Sequence, residues 1–175
     1  ALTLRCIDSG ATMSYTFRHH QRDIAGPAAD RRLVVIGTGR KEMTRQRIGV
    51  GVIGAGFGAN VQVPGFKSNP DVEVVAICSG RQEKAEAAAQ KLGVAHACSD
   101  YHELLKLEDL DLVSEVAPPY LHYPMVMAAL DAGKHVLCEK PMALNVQQAR
   151  EMYQRAEQTG VVHMIDHEFR FVPAR

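Results

Sequence analysis

From Ile48 to Asp166 short apolar runs alternate with longer stretches of helical period, and this alternation constrains the fold more than any other feature of the chain. A short run that is apolar throughout suits a strand buried on both faces of a parallel sheet. Parallel neighbours can be joined only by a crossover, usually a helix. The pattern predicts strands at "IGVGVI" (48–53), "VEVVAIC" (72–78), "AHAC" (95–98), "LDLVSEV" (110–116), "HVLCE" (135–139) and "VVHMID" (161–166). Helices are predicted at "FGANVQVPGFKS", bent near Pro64, at "RQEKAEAAAQKLG" closed by Gly93, at "LHYPMVMAALDAG" closed by Gly133, and at "NVQQAREMYQRAEQTG" closed by Gly160. A short helical turn at "DYHELL" covers the third strand. The expected fold class is α/β: a doubly wound parallel sheet whose ligand crevice lies beyond the carboxyl ends of the strands.

Residues 1–42 show no sustained period and are expected to be a disordered or non-native leader; Met43 is the expected natural start, with the preceding residues read from an upstream frame. The organised domain is expected over 43–167. The 175 residues leave room for one such domain and a tail. Residues 1–42 carry seven Lys/Arg and four Asp/Glu, the remainder 13 and 16, so the chain as a whole is neutral. That balance argues against a nucleic-acid partner or an anionic membrane surface. No apolar run is long enough to span a bilayer, and the N-terminal residues given do not show a basic region followed by an apolar stretch and a small-residue cleavage site. Cys6, Cys78, Cys98 and Cys138 are scattered singly, which suits a reducing compartment; the expected location is cytoplasmic.

The stretch "LVVIGTGRKEMTRQRIGVGVIGAGFGAN" (33–60) holds more glycines than one phosphate loop needs. Such a loop requires a turn leaving a strand, a glycine where backbone meets phosphate, and a helix N-terminus beyond. Gly49 and Gly51 fall inside the first strand, and "GTGRKE" leads into no helix. Gly54, Gly56 and Ala59 remain: Gly54 for the turn, Gly56 for the pyrophosphate, and Ala59 for close packing of helix on strand. Phe57 and Gly58 complete the loop. On this frame Gly56→Val should abolish binding, while Gly51→Val should be tolerated provided no neighbour packs against it.

The tip of the second strand decides which dinucleotide is read. A carboxylate there accepts the ribose hydroxyls of NAD, whereas an Arg accommodates the 2′-phosphate of NADP. Ser79, Gly80 and Arg81 stand at that tip with no carboxylate, so NADP(H) is favoured over NAD(H). Ser79 also reads as a helix N-cap, with Gln82 completing a capping box, and Arg81 as a solvated first-turn residue.

Taken together, "VGVIGAGFGA", "SDYHELL", "VAPPYLH", "AALDAGKHV", "GKHVLCEKPMALN" and "EFRFVPA" resemble the Gfo/Idh/MocA family of nicotinamide-dependent oxidoreductases from Arg47 onward. The resemblance implies an N-terminal NAD(P)-binding Rossmann domain, followed in the family by a second α/β domain that is missing after Arg175. Residues 168–175 would begin the connection to it. By the same resemblance Lys140 is the catalytic residue beside the nicotinamide, with Glu139 and Pro141 shaping its turn. Ala117, Pro118, Pro119 and His122 would lie along the cofactor, and Arg170 would approach the active site. An ammonium at Lys140 can hydrogen-bond the hydroxyl that becomes a carbonyl and stabilise the charge developing there.

The implied substrate is a sugar, polyol or related secondary alcohol, and the implied full-length assembly a homo-oligomer. This chain alone is expected to bind cofactor without turnover. The alternative is a catalytically silent dinucleotide-binding or sensor module. No metal site is expected, because His163 with His167, and His96 with Cys98 and His102, read as strand and turn residues. Two departures stand out. Ala117 replaces a common Thr, and Glu115 occupies a central strand where an apolar residue belongs. A buried carboxylate is costly unless paired, so Glu115 must face the crevice or weaken the fold.

Overall fold

The structure is a computed structural model that describes residues 3–8, 11–16 and 47–171. Within residues 1–42, β1 (Thr3–Asp8) and β2 (Ala11–Thr16) form an antiparallel ladder, Thr3 opposite Thr16 and Asp8 opposite Ala11. The sequence reading expected no element there; the remaining expectations for residues 1–42 lie outside the described residues.

The main body is a six-stranded parallel sheet. Its strands are β3 (Ile48–Ile53), β4 (Val72–Cys78), β5 (His96–Cys98), β6 (Leu112–Glu115), β7 (His135–Glu139) and β8 (His163–Asp166), in the spatial order β5-β4-β3-β6-β7-β8. The crossovers run through α1 (Val63–Lys67), α2 (Gln82–Leu92), α3 (Tyr101–Leu105), α4 (Pro119–Asp131) and α5 (Val146–Thr159). The chain starts at the centre, winds to one edge, returns and winds to the other, so the order reverses between β3 and β6. A doubly wound sheet binds its ligand at such a switch point.

Three of the six predicted strands coincide with the observed ones; 95–98, 110–116 and 161–166 are shorter than their apolar runs. Burial follows position. β6 is buried throughout and β3, β4 and β7 nearly so, whereas the edge strands β5 and β8 are partly exposed. Alternate side chains feed two cores. Val75, Val113, Val136 and Ile53 meet Leu104, Leu130 and Met152 of α3, α4 and α5 on one face. On the other, Val50, Val52, Val74 and Ile77 meet Val63 and Phe66 of α1 and Ala89 of α2. Each large aliphatic side chain so buried contributes about 1.5–3 kcal/mol.

Gly51 corrects one expectation. A Cβ there would lie 2.7 Å from Leu110 Cδ1 and 3.0 Å from Leu104 Cδ2. Neighbours do pack against the strand at this point, so the proviso on Gly51→Val fails.

Helix ends follow the local chemistry. Asp100 Oδ1 accepts from the His102 N–H at 2.9 Å and Asn145 Oδ1 from the Gln148 N–H at 3.0 Å, which satisfies donors at the starts of α3 and α5. Gly93 and Gly160 close α2 and α5 with φ of 60° and 66°. α4 begins two residues before the predicted run because Pro119 suits a first helical position. The bend expected near Pro64 is a π-helical turn over Gly58–Gln62 leading into α1. Proline has no N–H to continue the preceding ladder, and a wider turn accommodates that.

Candidate functional site

The loop leaving β3 is shaped by its glycines in three different ways. Gly54 has φ +128°, and a Cβ there would sit 2.8 Å from the Val116 carbonyl oxygen; only glycine fits this turn. Its N–H donates to the Cys78 carbonyl at 2.8 Å, fastening the turn to β4. Around Gly56 nothing lies within 4 Å of an added Cβ, so the backbone faces open space there. At Gly58 an added Cβ would be 2.7 Å from Val52 Cγ1. The closest approach of helix to strand is therefore at Gly58, although the spacing assigned it to Ala59, which is also buried. Phe57 is half exposed beside them.

At the tip of β4, Ser79 does not cap α2. Its N–H donates to the Cys98 carbonyl at 3.1 Å, while the N-cap position belongs to Arg81, whose backbone is extended and whose side chain makes no capping bond. Gln82 closes no capping box; its amide donates to Glu86 Oε1 at 2.9 Å and to the Ala97 carbonyl at 3.3 Å. Gly80 and Arg81 are exposed at the carboxyl end of the sheet.

Glu115 ends β6 with no exposure, and His122, from the first turns of α4, is 1 % exposed. Glu115 Oε1 accepts from the Ala117 N–H at 2.7 Å, and Oε2 accepts from the Cys138 thiol at 3.5 Å and lies 3.4 Å from His122 Nε2. The carboxylate therefore neither faces the crevice nor stands unpaired. Burial pushes its carboxyl up from the ordinary range; His122, the Ala117 N–H and the Cys138 thiol pull it back. His122 Nδ1 is 2.8 Å from the Pro141 carbonyl oxygen and Nε2 is 2.8 Å from that of Ala117. The ring thus joins the turn after β6 to the turn after β7.

Lys140, at the end of β7, points its ammonium at Glu168 Oε1 (2.8 Å), with Glu139 Oε2 at 3.7 Å. It lies 5.7 Å from the centre of the Phe169 ring. The hydrogen bond that Lys140 donates to Glu168 is the main cause of a Lys140 pKa above the usual lysine value. The Lys140–Pro141 bond is cis. Below Lys140 runs a buried polar thread. Gln62 donates from Nε2 to Glu139 Oε1 (3.2 Å) and Asp166 Oδ2 (3.3 Å) and accepts from the Ser114 hydroxyl.

Two depressions meet at Lys140. One, of about 190 Å³, is lined by Phe57, Ala117, Pro119, His122, Glu139 and Lys140 among others. The other, of about 350 Å³, is lined by Lys140, His167, Glu168, Phe169 and Arg170. Ser79, Gly80 and Arg81 line neither. Pro118 and Pro141 are exposed. Sequence reasoning missed Glu168, Gln62, Ser114 and Asp166. Glu168 lies inside "EFRF", where the resemblance points to Arg170 instead; the other three carry no local signal, because their partners come from distant elements.

Among the described residues, Glu115, His122 and Cys138 are the one set of three ligand-type side chains whose atoms lie within 4.8 Å of one another. Both ring nitrogens of His122 already face carbonyl oxygens, leaving no lone pair aimed at a cation.

Residues 48–167 match the oxidoreductase family with the NAD-binding Rossmann fold, Gfo/Idh/MocA. The chain belongs to this family. D-glucoside 3-dehydrogenase of Escherichia coli is 38 % identical over 133 residues, 75 % of this chain and 38 % of that protein. A 3-ketoreductase from Actinomadura kijaniata, solved with NADP, is 34 % identical with a TM-score of 0.68, covering 73 % of this chain and 41 % of that one. GenD2 from gentamicin A biosynthesis, solved with NAD, is 26 % identical with a TM-score of 0.67, covering 77 % and 38 %. The chain thus spans about two fifths of the length of these Gfo/Idh/MocA relatives. No helix among its described residues is long and apolar enough to cross a membrane.

Proposed function

We propose that the chain is the coenzyme-binding part of an NAD(P)-dependent Gfo/Idh/MocA oxidoreductase that acts on a sugar, polyol or related secondary alcohol and favours NADP(H). The observation that carries this reading is convergence at the switch point: the glycine loop, the turn after β6 and Lys140 border one depression at the carboxyl ends of β3, β6 and β7. The residues fit a dinucleotide. Gly56 leaves its backbone clear where a side chain would intrude, and the π-helical turn that starts at Gly58, with Phe57 as its N-cap, offers N–H groups of a helix start. Gly54, Gly56, Phe57, Gly58 and Ala59 would hold the pyrophosphate, and Ala117 to Pro119 would flank the cofactor.

The nicotinamide supplies a hydride acceptor or donor at C4. Lys140 holds a proton on Nζ and can donate a hydrogen bond to the substrate oxygen, stabilising it as charge develops. Glu168 keeps that ammonium protonated and fixes its direction. Glu139, buried behind it, accepts from the Lys140 N–H at 3.1 Å and holds the turn.

Arg81 is exposed at the tip of β4 with no carboxylate beside it in sequence, which supports a charge-assisted hydrogen bond from it to a 2′-phosphate. Such a bond contributes about 1.5–3 kcal/mol, a roughly ten- to hundredfold preference for NADP(H). Titration with both cofactors at fixed ionic strength, before and after Arg81→Ala, tests this. The preference should be present and should collapse on substitution; equal affinities, or a preference that survives, would refute the role of Arg81.

A further inference from the structure

We infer that His122 is held as an imidazolium, neutralised by Glu115, and that its two N–H bonds position the Lys140–Pro141 turn. A carbonyl oxygen cannot donate, and His122 has one 2.8 Å from each ring nitrogen, Pro141 at Nδ1 and Ala117 at Nε2. A neutral ring has one N–H and one lone pair. Either tautomer would therefore press a nitrogen lone pair against an oxygen lone pair at hydrogen-bond distance. Only the ring with both protons satisfies both contacts.

A positive ring with 1 % exposure needs a counter-charge. Glu115 Oε2 supplies it at 3.4 Å. The two carboxylate oxygens face the Ala117 N–H and the Cys138 thiol, both donors that favour the charged form against the burial that raises its pKa. The groups facing the ring are Glu115 from β6 and Cys138 from β7, with Glu139 and Lys140 bordering the same depression. Glu115, anomalous in an otherwise apolar strand, thus acquires a reason: it keeps the ring doubly protonated. The ring in turn ties Pro141 to Ala117, so the two turns that flank the proposed nicotinamide position move as one. His122 and Glu115 are positioning residues that act through the turn carrying Lys140.

The inference rests on the proposed reading only for its consequence, and the experiment separates the two. Nitrogen-15 NMR of the chain labelled at histidine reads the ring directly. Both His122 nitrogens should show attached protons at neutral pH, and Glu115→Gln should leave one of them bare. A single protonated nitrogen in the unsubstituted protein overturns the inference, as does stoichiometric zinc binding that displaces a ring proton. Binding of NADP⁺ and of adenosine 2′,5′-bisphosphate is then compared. Glu115→Gln should weaken NADP⁺ about tenfold, the equivalent of one hydrogen bond, and leave the adenosine fragment unchanged. Equal weakening of both would show a general structural defect and refute the positioning role. Failure of the unsubstituted protein to bind either probe would instead refute the cofactor reading, with the NMR result standing.

Discussion

Valine at Gly51 and valine at Gly56 should fail in opposite ways. At Gly51 the new Cβ alone would lie 2.7 Å from Leu110 and 3.0 Å from Leu104, and both leucines are buried to within 2 %. Two further methyls deepen the clash, and such overpacking costs about 1–3 kcal/mol. For a chain of this size that lowers the thermal midpoint by about 3 °C per kcal/mol, hence roughly 3–9 °C. At Gly56 nothing stands within 4 Å and φ is not positive, so stability should change by less than about 0.5 kcal/mol. Its side chain instead enters the space reserved for the pyrophosphate. Thermal unfolding with and without NADP⁺ at about a hundredfold excess over Kd separates the two effects, since bound ligand adds about 2.7 kcal/mol. Gly51→Val should start low and still gain this increment; Gly56→Val should start near the unsubstituted midpoint and gain nothing. A destabilised Gly56→Val that retains its ligand shift, or a Gly51→Val of unchanged midpoint that loses it, would refute the assignment of the two glycines.

Further outcomes follow from the hydrogen bonds. Glu168→Gln removes the main influence holding the Lys140 ammonium above its ordinary pKa, so the lysine should titrate at lower pH in carbon-13 NMR of dimethylated protein. Because the folded value is raised, the stability this pair contributes is present below the ordinary lysine range and is lost as pH rises through the folded value. Cys98 is half-buried and its thiol is lowered chiefly by a hydrogen bond from Cys78, whereas that same bond raises Cys78 and burial raises Cys138. In a Cys6→Ser background, iodoacetamide followed by mass spectrometry should label Cys98 first. Asn145→Ala should cost about 1 kcal/mol by exposing the start of α5, read as a midpoint about 3 °C lower.

How much of this was legible in the sequence depends on the range of the interaction. β3, β4 and β7 could be bounded to the residue because an apolar run and its turn signals are local. The loop at Gly54 and Gly56 was legible for the same reason: strand, turn and helix start are contiguous. The cap expected at Ser79 fails because a capping box is a local option that the backbone need not take; the N-cap falls two residues later, at Arg81, and α2 starts at Gln82. Gly51 was misjudged because its neighbours, Leu104 and Leu110, arrive from a crossover more than fifty residues on. Glu115 could be flagged as anomalous, yet its resolution required knowing that α4 returns His122 over the end of β6. Glu168 lay within a motif whose residues were weighed by resemblance, and only the packing of the turn against Lys140 singled it out.

The Gln62 amide bears on which substitutions the chain can accept. It is 8 % exposed and stands between two carboxylates, Glu139 and Asp166, with a hydroxyl on its other side. Leucine would fill the volume but leave two buried acids without their shared donor, and glutamate would set a third acid against them. Either removes the compensation that burial of polar groups requires. Substitution at position 62 should therefore cost stability although the residue touches no proposed ligand, and the cost should fall when the acid at 139 or 166 is changed with it.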